Sequence, residues 1–219
     1  LVGHGSSSVN NTHYAGYDCG ACSGRPGSVN ARAFATMANH VKVRQLLWER
    51  GIRIPSTTQF LGGLHDTSRD EIRFYDMDTL SAENQALHQK HLRVFERALD
   101  DNSKERSRRF ELTPSKSSSS KVHSHVKNRT VSLFEPRPEL NHATNTLCIV
   151  GTRALTDKVF LDRRAFLNSY DPYVDPDGKY LTGILNAAAP VCGGINLEYF
   201  FSRVDNHKLG AGTKLPHNV

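Results

Sequence analysis

Short strand-like runs alternate along this chain with longer helical patterns, and this alternation constrains the possible folds most strongly. The most strand-like run is Leu147–Gly151, whose continuous apolar character is typical of a strand buried on both faces of a parallel sheet. Apolar residues at helical spacing predict a helix over 31–50, and Gly51 follows it as a helix-ending glycine. We therefore predict an α/β fold with a largely parallel sheet flanked by helices.

Further segments fit the same alternation. Leu1 and Val2 are expected to end a strand, and we predict strands over 59–64, 71–75 and 159–161. Helices are expected from Ser81 onward and over 180–188. The apolar stripes of the two longer helices are expected to face the core: Phe34, Met37, Ala38, Val41 and Trp48 in the first, and Leu87, His91, Val94, Phe95 and Ala98 in the second.

The domain organisation is expected to be simple. We predict a single α/β domain over 1–219, cut from a larger protein, because the chain starts on an apolar strand end without Met. A flexible loop is expected over about 112–128, since residues 114–120 contain five serines and no apolar residue.

Composition excludes several classes of protein. No apolar run exceeds about five residues, whereas a membrane span needs roughly 20. No secretory signal opens the chain, and four cysteines in 219 residues are too few for a disulfide scaffold. The expectation is a soluble intracellular protein.

The net charge of +6 is concentrated in two basic segments. Residues 104–109 contain four cations, and residues 116–129 contain four more with two histidines. Aromatic residues are not interleaved with these cations and no nucleic-acid-binding motif is present. We therefore expect a solvated or partner-facing surface and no nucleic-acid partner.

The densest group of chemically active residues lies near the start of the chain. His4 follows the first strand, and His13, Asp18, Cys19 and Cys22 come soon after it. Imidazole and thiolate are the ligands that zinc prefers, and a site needs about four. On spacing alone, His4 and Cys19 could equally be a strand-end histidine and an inert loop cysteine.

Other interpretations of the cysteines and histidines stay open. Cys19 and Cys22 form a C-x-x-C pair, which occurs in redox sites and in zinc ribbons. No second pair accompanies it, because Cys148 and Cys192 stand alone and are expected to pack in the core. Two further histidines, His65 and His142, have an uncertain role. His65 is the better candidate for a pocket residue, because it lies at the end of a predicted strand.

Several longer motifs together resemble the DabA family of inorganic carbon transporter subunits, which are β-carbonic-anhydrase-like zinc proteins. The first is Gly-His-Gly-Ser-Ser-Ser-Val-Asn-Asn from residue 3, followed by Tyr-Asp-Cys-Gly-Ala-Cys-Ser-Gly from residue 17. The resemblance continues through 30–32, 64–67, 134–139, 141–145, 196–202 and 204–206. It spans nearly the whole chain, and the serine-rich segment matches least.

The resemblance implies a β-carbonic-anhydrase-like fold and a Zn²⁺ site. In β-carbonic anhydrases a Gly-His-x-x-Cys-Gly motif gives two zinc ligands and a Cys-x-Asp-x-Arg motif gives two more. By this resemblance His4 and Cys19 are zinc ligands, with a longer insertion between them. No Cys-x-Asp-x-Arg occurs in these 219 residues, so the catalytic Asp and Arg are expected upstream. The chain alone is expected to be inactive.

The resemblance also implies a function and a partner. The family hydrates CO2 to bicarbonate for inorganic carbon uptake, together with a proton-conducting integral membrane subunit. The zinc subunit would lie peripherally on the cytoplasmic side of the cell inner membrane. The rival hypotheses are a non-catalytic structural or docking domain, in which residues 104–129 bind a partner and any metal is structural, and a C-x-x-C redox protein.

Overall fold

A computed structural model describes residues 1–9, 25–108, 110, 112–135, 138, 147–162 and 164–204, with side chains up to residue 193. The chain forms two compact units. Unit 1 contains Leu1–Thr12 and Gly24–Glu139, and unit 2 contains His13–Ser23 and Leu140–Val219. Whether both belong to one domain of a longer protein stays a prediction.

Unit 1 is built around a small mixed sheet. Its strands are β1 (Val2–Gly5), β2 (Gly63–Asp66) and β3 (Glu71–Phe74), in that spatial order. β1 pairs with β2 in parallel, and β2 pairs with β3 as an antiparallel hairpin. The strand predicted over 71–75 is confirmed as β3. The strand predicted over 59–64 was largely wrong, because β2 begins only at Gly63, and the strand expected to end at Val2 instead runs on to Gly5. The sheet is only partly parallel.

Four α-helices belong to the described part of unit 1. They are α1 (Ser28–Asn39), α2 (Val41–Glu49), α3 (Ala82–Ser107) and α4 (Ser119–Thr130). The predicted start of α3 is confirmed, because the Ser81 hydroxyl accepts a hydrogen bond from Asn84 N at 3.2 Å. The expected flexible loop over about 112–128 was wrong in its second half, which forms α4. Its fully buried Val122 and Val126 explain why this polar segment folds as a helix.

The predicted helix over 31–50 is two helices that meet at His40. This residue has an extended backbone, with φ −73° and ψ 127°, which interrupts the helical hydrogen bonds. Arg44 stabilises the break: its guanidinium donates to Ala38 O at 2.9 Å and to Thr58 O at 2.6 Å. Gly51 has a φ of 85° after α2, which confirms its predicted role.

Of the two stripes predicted to face the core, only Ala38 is confirmed as buried; the other residues of both stripes are exposed. In α1 the buried residues are Ala31, Ala35 and Ala38, and the larger side chains on the other faces are exposed. In α3 the buried residues are Ser103, Arg106 and Ser107. The large apolar residues that lie exposed instead are Phe34, Met37, Val41 and Trp48, and Leu87, Val94 and Phe95.

Close backbone approach explains why alanines face the sheet in α1. A Cβ on Gly62 would lie 2.7 Å from Arg32 N and Cα, and one on Gly3 would lie 2.3 Å from Gly27 O. Only small residues allow a helix and strand backbones to come this close. The alanine stripe of α1 therefore packs on β1 and β2.

We expect Gly62→Ala to lower the free energy of unfolding of unit 1 by about 1–3 kcal/mol, because the added methyl meets helix backbone that cannot rotate away. Urea unfolding followed by circular dichroism measures this change. Gly183→Ala is the control, since nothing lies within 4 Å of its added methyl. An unchanged Gly62→Ala midpoint would contradict the close approach.

Unit 2 has a two-stranded parallel sheet and one long helix in its described part. Its elements are β4 (Leu147–Gly151), β5 (Ala165–Ser169) and α5 (Lys179–Val204). The bounds of β4 are confirmed, but the strand expected over 159–161 was wrong, and the second strand comes at β5. Burial of β4 on both faces was also wrong, because Leu147 and Cys148 are exposed. The structure as a whole is mixed α/β.

Candidate metal centre

The carboxyl ends of β1 and β2 bring two of the candidate histidines together. Because these strands pair in parallel, His4 stands opposite His65 and Gly5 stands opposite Asp66. The pairing continues past the strands through Thr67 N, which donates to Gly5 O at 2.8 Å. Parallel strand ends are common ligand-binding positions, since loops leave the sheet there side by side.

The His4 side chain is held by a hydroxyl group from the turn after β2. Its Nε2 lies 3.0 Å from Thr67 Oγ1, and the same hydroxyl lies 3.2 Å from Gly5 O as a donor. A hydroxyl that donates its one hydrogen to a carbonyl accepts from the imidazole N–H. The backbone of His4 is fixed as well, because Gly27 N donates to His4 O at 2.7 Å. The ring therefore has a defined orientation.

The loop after β1 is tied to the turn after β2. Asp66 Oδ1 accepts from Ser7 N at 3.1 Å and from Ser68 N at 3.2 Å, while Asp66 Oδ2 accepts from Ser7 Oγ. The hydroxyls of Ser6 and Ser68 lie 2.6 Å apart. These hydrogen bonds hold Ser6 and Ser7, which follow β1, against the turn that follows β2.

Behind His65 lies a buried carboxylate with its own set of donors. Asp70 is 1% exposed and accepts from Arg106 Nε at 2.7 Å and Ser103 Oγ at 2.7 Å. It also accepts from Asn102 Nδ2 at 2.8 Å and lies 3.2 Å from His65 Nε2. Burial raises the pKa of Asp70, but the hydrogen bond to His65 and the charge of Arg106 outweigh it and lower that pKa to about 2.

Arg106 joins helix α3 to the turn between β2 and β3. Besides Asp70, its guanidinium donates to Ser68 O at 2.7 Å and to Pro138 O. This residue is 5% exposed and Arg129 is 6% exposed, so the expectation of a basic surface over 104–129 was wrong for both. Lys127 is also paired, with Glu71 at 2.5 Å.

The candidates singled out in the sequence are only partly placed. His4 and His65 lie at the adjoining strand ends. His13, Asp18, Cys19, Cys22 and His142 lie outside the described residues. Within the described ranges, no group of three or more His, Cys, Asp and Glu side chains could hold a metal ion. His4 is therefore the one proposed zinc ligand whose surroundings are defined.

Sequence reasoning missed three residues of this region: Thr67, Asp70 and Arg106. Thr67 falls inside the 64–67 motif and could have been noticed as the first polar side chain after a strand that pairs with β1. Asp70 has a positive φ of 54°, which is a turn property visible in the polar run 66–70. Nothing in the pattern of α3 distinguishes Arg106 from other basic residues of this helix, such as the exposed Arg93 and Arg97.

Comparison with known proteins assigns the chain to a protein family. The family model described as "Probable inorganic carbon transporter subunit DabA" matches residues 1–219. The chain belongs to the DabA family. This agrees with the resemblance carried by the sequence motifs.

Curated relatives support the assignment over the full chain. A probable inorganic carbon transporter subunit DabA from Azotobacter vinelandii is 69% identical over 219 residues, covering 100% of this chain and 26% of the relative. One from Nitrosospira multiformis is 61% identical and covered over 24% of its length, and DabA 2 from Sorangium cellulosum is 53% identical and covered over 22%. The chain thus spans about a quarter of the length of these relatives. No solved structure matches it.

No helix in the described part of the chain is both long enough and apolar enough to cross a membrane.

Proposed function

We propose that this chain supplies half of the Zn²⁺ site of a β-carbonic-anhydrase-like subunit that hydrates CO2 to bicarbonate for inorganic carbon uptake. The observation that carries the proposal is the placement of His4 at the end of β1, with its ring oriented by Thr67. Zinc-ligating histidines usually hydrogen-bond a neighbouring group through their second nitrogen, and Thr67 has that role here. Membership of the DabA family supports the transport process.

His4 and Cys19 are the proposed ligands on this chain. The remaining two ligands would come from a part of the whole protein that lies outside these 219 residues. Zinc in such a site lowers the pKa of a water molecule to about 7 and so supplies hydroxide for attack on CO2 at neutral pH. The residues of unit 1 fix the imidazole and the loop that follows it. The Asp66–Ser7 hydrogen bonds hold that loop in place.

The partner is proposed to be a proton-conducting integral membrane subunit. The description of the matching family as a transporter subunit supports a second component, because a subunit acts together with at least one other. The chain would then lie peripherally on the cytoplasmic side of the cell inner membrane.

The test is metal analysis of the whole protein with single substitutions. We expect one zinc per protein in the wild type, and loss of both zinc and bicarbonate uptake in His4→Ala and in Cys19→Ala. The circular dichroism spectrum and the thermal midpoint should stay near wild type. His91→Ala, an exposed histidine on α3, is the matched control and should keep zinc and uptake. Uptake that survives His4→Ala, or unfolding of that variant, would favour a structural metal site instead.

Thr67→Val should weaken zinc binding by about 10–100-fold without removing a ligand, because the valine cannot hydrogen-bond the imidazole of His4. Competition with a chelating zinc indicator measures the affinity. Thr182→Val on α5 is the control, since that hydroxyl only donates to Gly178 O. Unchanged zinc affinity in Thr67→Val would show that Thr67 does not orient a ligand.

A further inference from the structure

One histidine outside the proposed zinc site lies between two hydrogen-bond acceptors. His123 lies on α4, and its Nδ1 is 2.6 Å from Asp100 Oδ1 on α3. Its Nε2 is 2.8 Å from the backbone oxygen of Arg69, in the turn between β2 and β3. The ring therefore joins α4 both to α3 and to the β2–β3 hairpin.

The two contacts together require a proton on each ring nitrogen of His123. A carbonyl oxygen and an ionised carboxylate can only accept hydrogen bonds, so Nε2 and Nδ1 must both donate. An imidazole has two N–H groups only when it is protonated and positively charged. A neutral ring would turn the lone pair of one nitrogen toward an acceptor. The geometry is thus that of a charged imidazolium.

The surroundings of this pair are partly shielded from water and rich in charge. The side chains of His123 and Asp100 are 13% and 31% exposed, which strengthens the attraction between them. Both residues line a cavity of about 440 Å³ between α3, α4 and the hairpin. The other charged residues that line it are Asp70, Glu71, Arg73, Glu96 and Lys127.

The hairpin carboxylates of this cavity already have cationic partners. Asp70 is paired with Arg106 at 2.7 Å, and Glu71 is paired with Arg69 at 2.8 Å and with Lys127. The carboxylates that a protonated His123 can still offset therefore belong to α3. They are Glu96 and Asp100.

The end of α4 also holds the loop that follows β1. Thr130 O accepts a hydrogen bond from Val9 N at 2.8 Å and from Ser8 Oγ at 3.3 Å. Movement of α4 away from α3 would break these bonds or move this loop with the helix. The position of α4 is thus coupled to the segment that follows His4.

We propose that His123 is a pH-sensitive switch, whose protonation docks α4 on α3 and on the β2–β3 hairpin and whose deprotonation loosens α4 and the loop after β1. The neutral ring satisfies only one of the two acceptors, so docking weakens as the pH rises through the range in which histidines titrate. Val122 and Val126 are fully buried and keep the loosened helix attached. The switch is a property of unit 1 and does not require the zinc proposal to be correct.

The test is hydrogen–deuterium exchange of the folded whole protein at pH 6 and pH 8.5, read by mass spectrometry and corrected for the intrinsic exchange rate. We expect the protection of peptides within 119–130 to fall about tenfold at the higher pH, the usual effect of losing one hydrogen bond to a charged group. Protection of Val9 should fall as well, since its amide is bonded to Thr130 O. Peptides from α1 should not change.

Two substitutions make the test specific for this pair. His123→Gln has no titrating group there, so α4 should show the lower protection at both pH values. In Asp100→Asn the new NH2 group can donate to Nδ1 of the neutral ring while Nε2 still donates to Arg69 O, so α4 should keep its protection at pH 8.5. His91→Ala, an exposed histidine on α3, is the control and should keep the wild-type pH dependence.

Four results would overturn the proposal. The first two are equal protection of wild-type α4 at both pH values and an equally large loss of protection in α1, which would indicate a general loss of stability. The others are a pH dependence that persists in His123→Gln or in Asp100→Asn, since either would assign it to a different group.

Discussion

Replacing Asp70 with Asn is expected to lower the free energy of unfolding of unit 1 by about 3–5 kcal/mol, the usual result of breaking a buried ion pair on one side. The substitution leaves the guanidinium of Arg106 buried with no opposite charge. The asparagine side chain also has an NH2 group in place of one carboxylate oxygen. This group would face Arg106 Nε or Asn102 Nδ2, which are themselves hydrogen-bond donors to Asp70. The contacts between α3 and the β2–β3 turn should weaken together.

Urea unfolding of Asp70→Asn measures this loss, with Asp78→Asn as the matched control on an exposed carboxylate. The control should stay within about 0.5 kcal/mol of the wild type. A loss below about 1 kcal/mol in Asp70→Asn would show that the buried pair contributes no more than a surface ion pair.

The same carboxylate gives the fold an acid sensitivity. The pKa of Asp70 is about 2 in the folded chain against an ordinary value of 3.8, so the unfolded chain takes up this proton first as the pH falls. The stabilisation is complete above pH 4 and is lost as the pH falls through 2. It amounts to roughly 2 kcal/mol. Urea titrations at pH 5, 4, 3 and 2 should show this loss in the wild type, and Asp70→Asn should lack that component.

Local signals predicted where elements lie more reliably than what they contact. The Ser81 cap, the helix-ending Gly51 and the bounds of β4 were correct because each depends on a few neighbouring residues. The break at His40 was missed because it is stabilised from a distance, by Arg44 reaching to Thr58 O.

Apart from Ala38, the buried residues of the long helices were mispredicted for a physical reason. Periodicity identifies an apolar stripe but does not say what covers it. In α1 the backbone lies so close to β1 and β2 that only the alanine stripe fits there, and Phe34 and Met37 are left 51% and 55% exposed.

For the candidate site, sequence reasoning could identify His4 and His65 but not the residues that hold them. Both were expected directly after predicted strands, whereas the structure places His4 within β1 and His65 within β2, each one residue before the strand ends. Thr67 and Arg106 depend on which strands pair and on how α3 crosses the turn, and both are non-local properties. The proposed pairing of His4 with Cys19 came from resemblance to a family, and it stays a prediction.

The whole protein is expected to bind zinc at least about a thousandfold more tightly than the 219-residue chain alone. Four-ligand zinc sites in small peptides release roughly 10–16 kcal/mol on binding, so loss of two ligands should remove about 5 kcal/mol or more. The chain would retain His4 and Cys19, whereas the Cys-x-Asp-x-Arg motif that would supply the other two is absent from its sequence. Competition against a chelating zinc indicator at one pH and ionic strength measures both affinities.

The variants make this comparison specific for the proposed site. His4→Ala should weaken zinc binding by the whole protein far more than by the chain, because only in the whole protein does the histidine complete a set of four ligands. His91→Ala should leave both affinities unchanged. Equal zinc affinity of the chain and the whole protein would place a complete site within these 219 residues, and the half-site proposal would then be wrong even if carbon uptake depends on zinc.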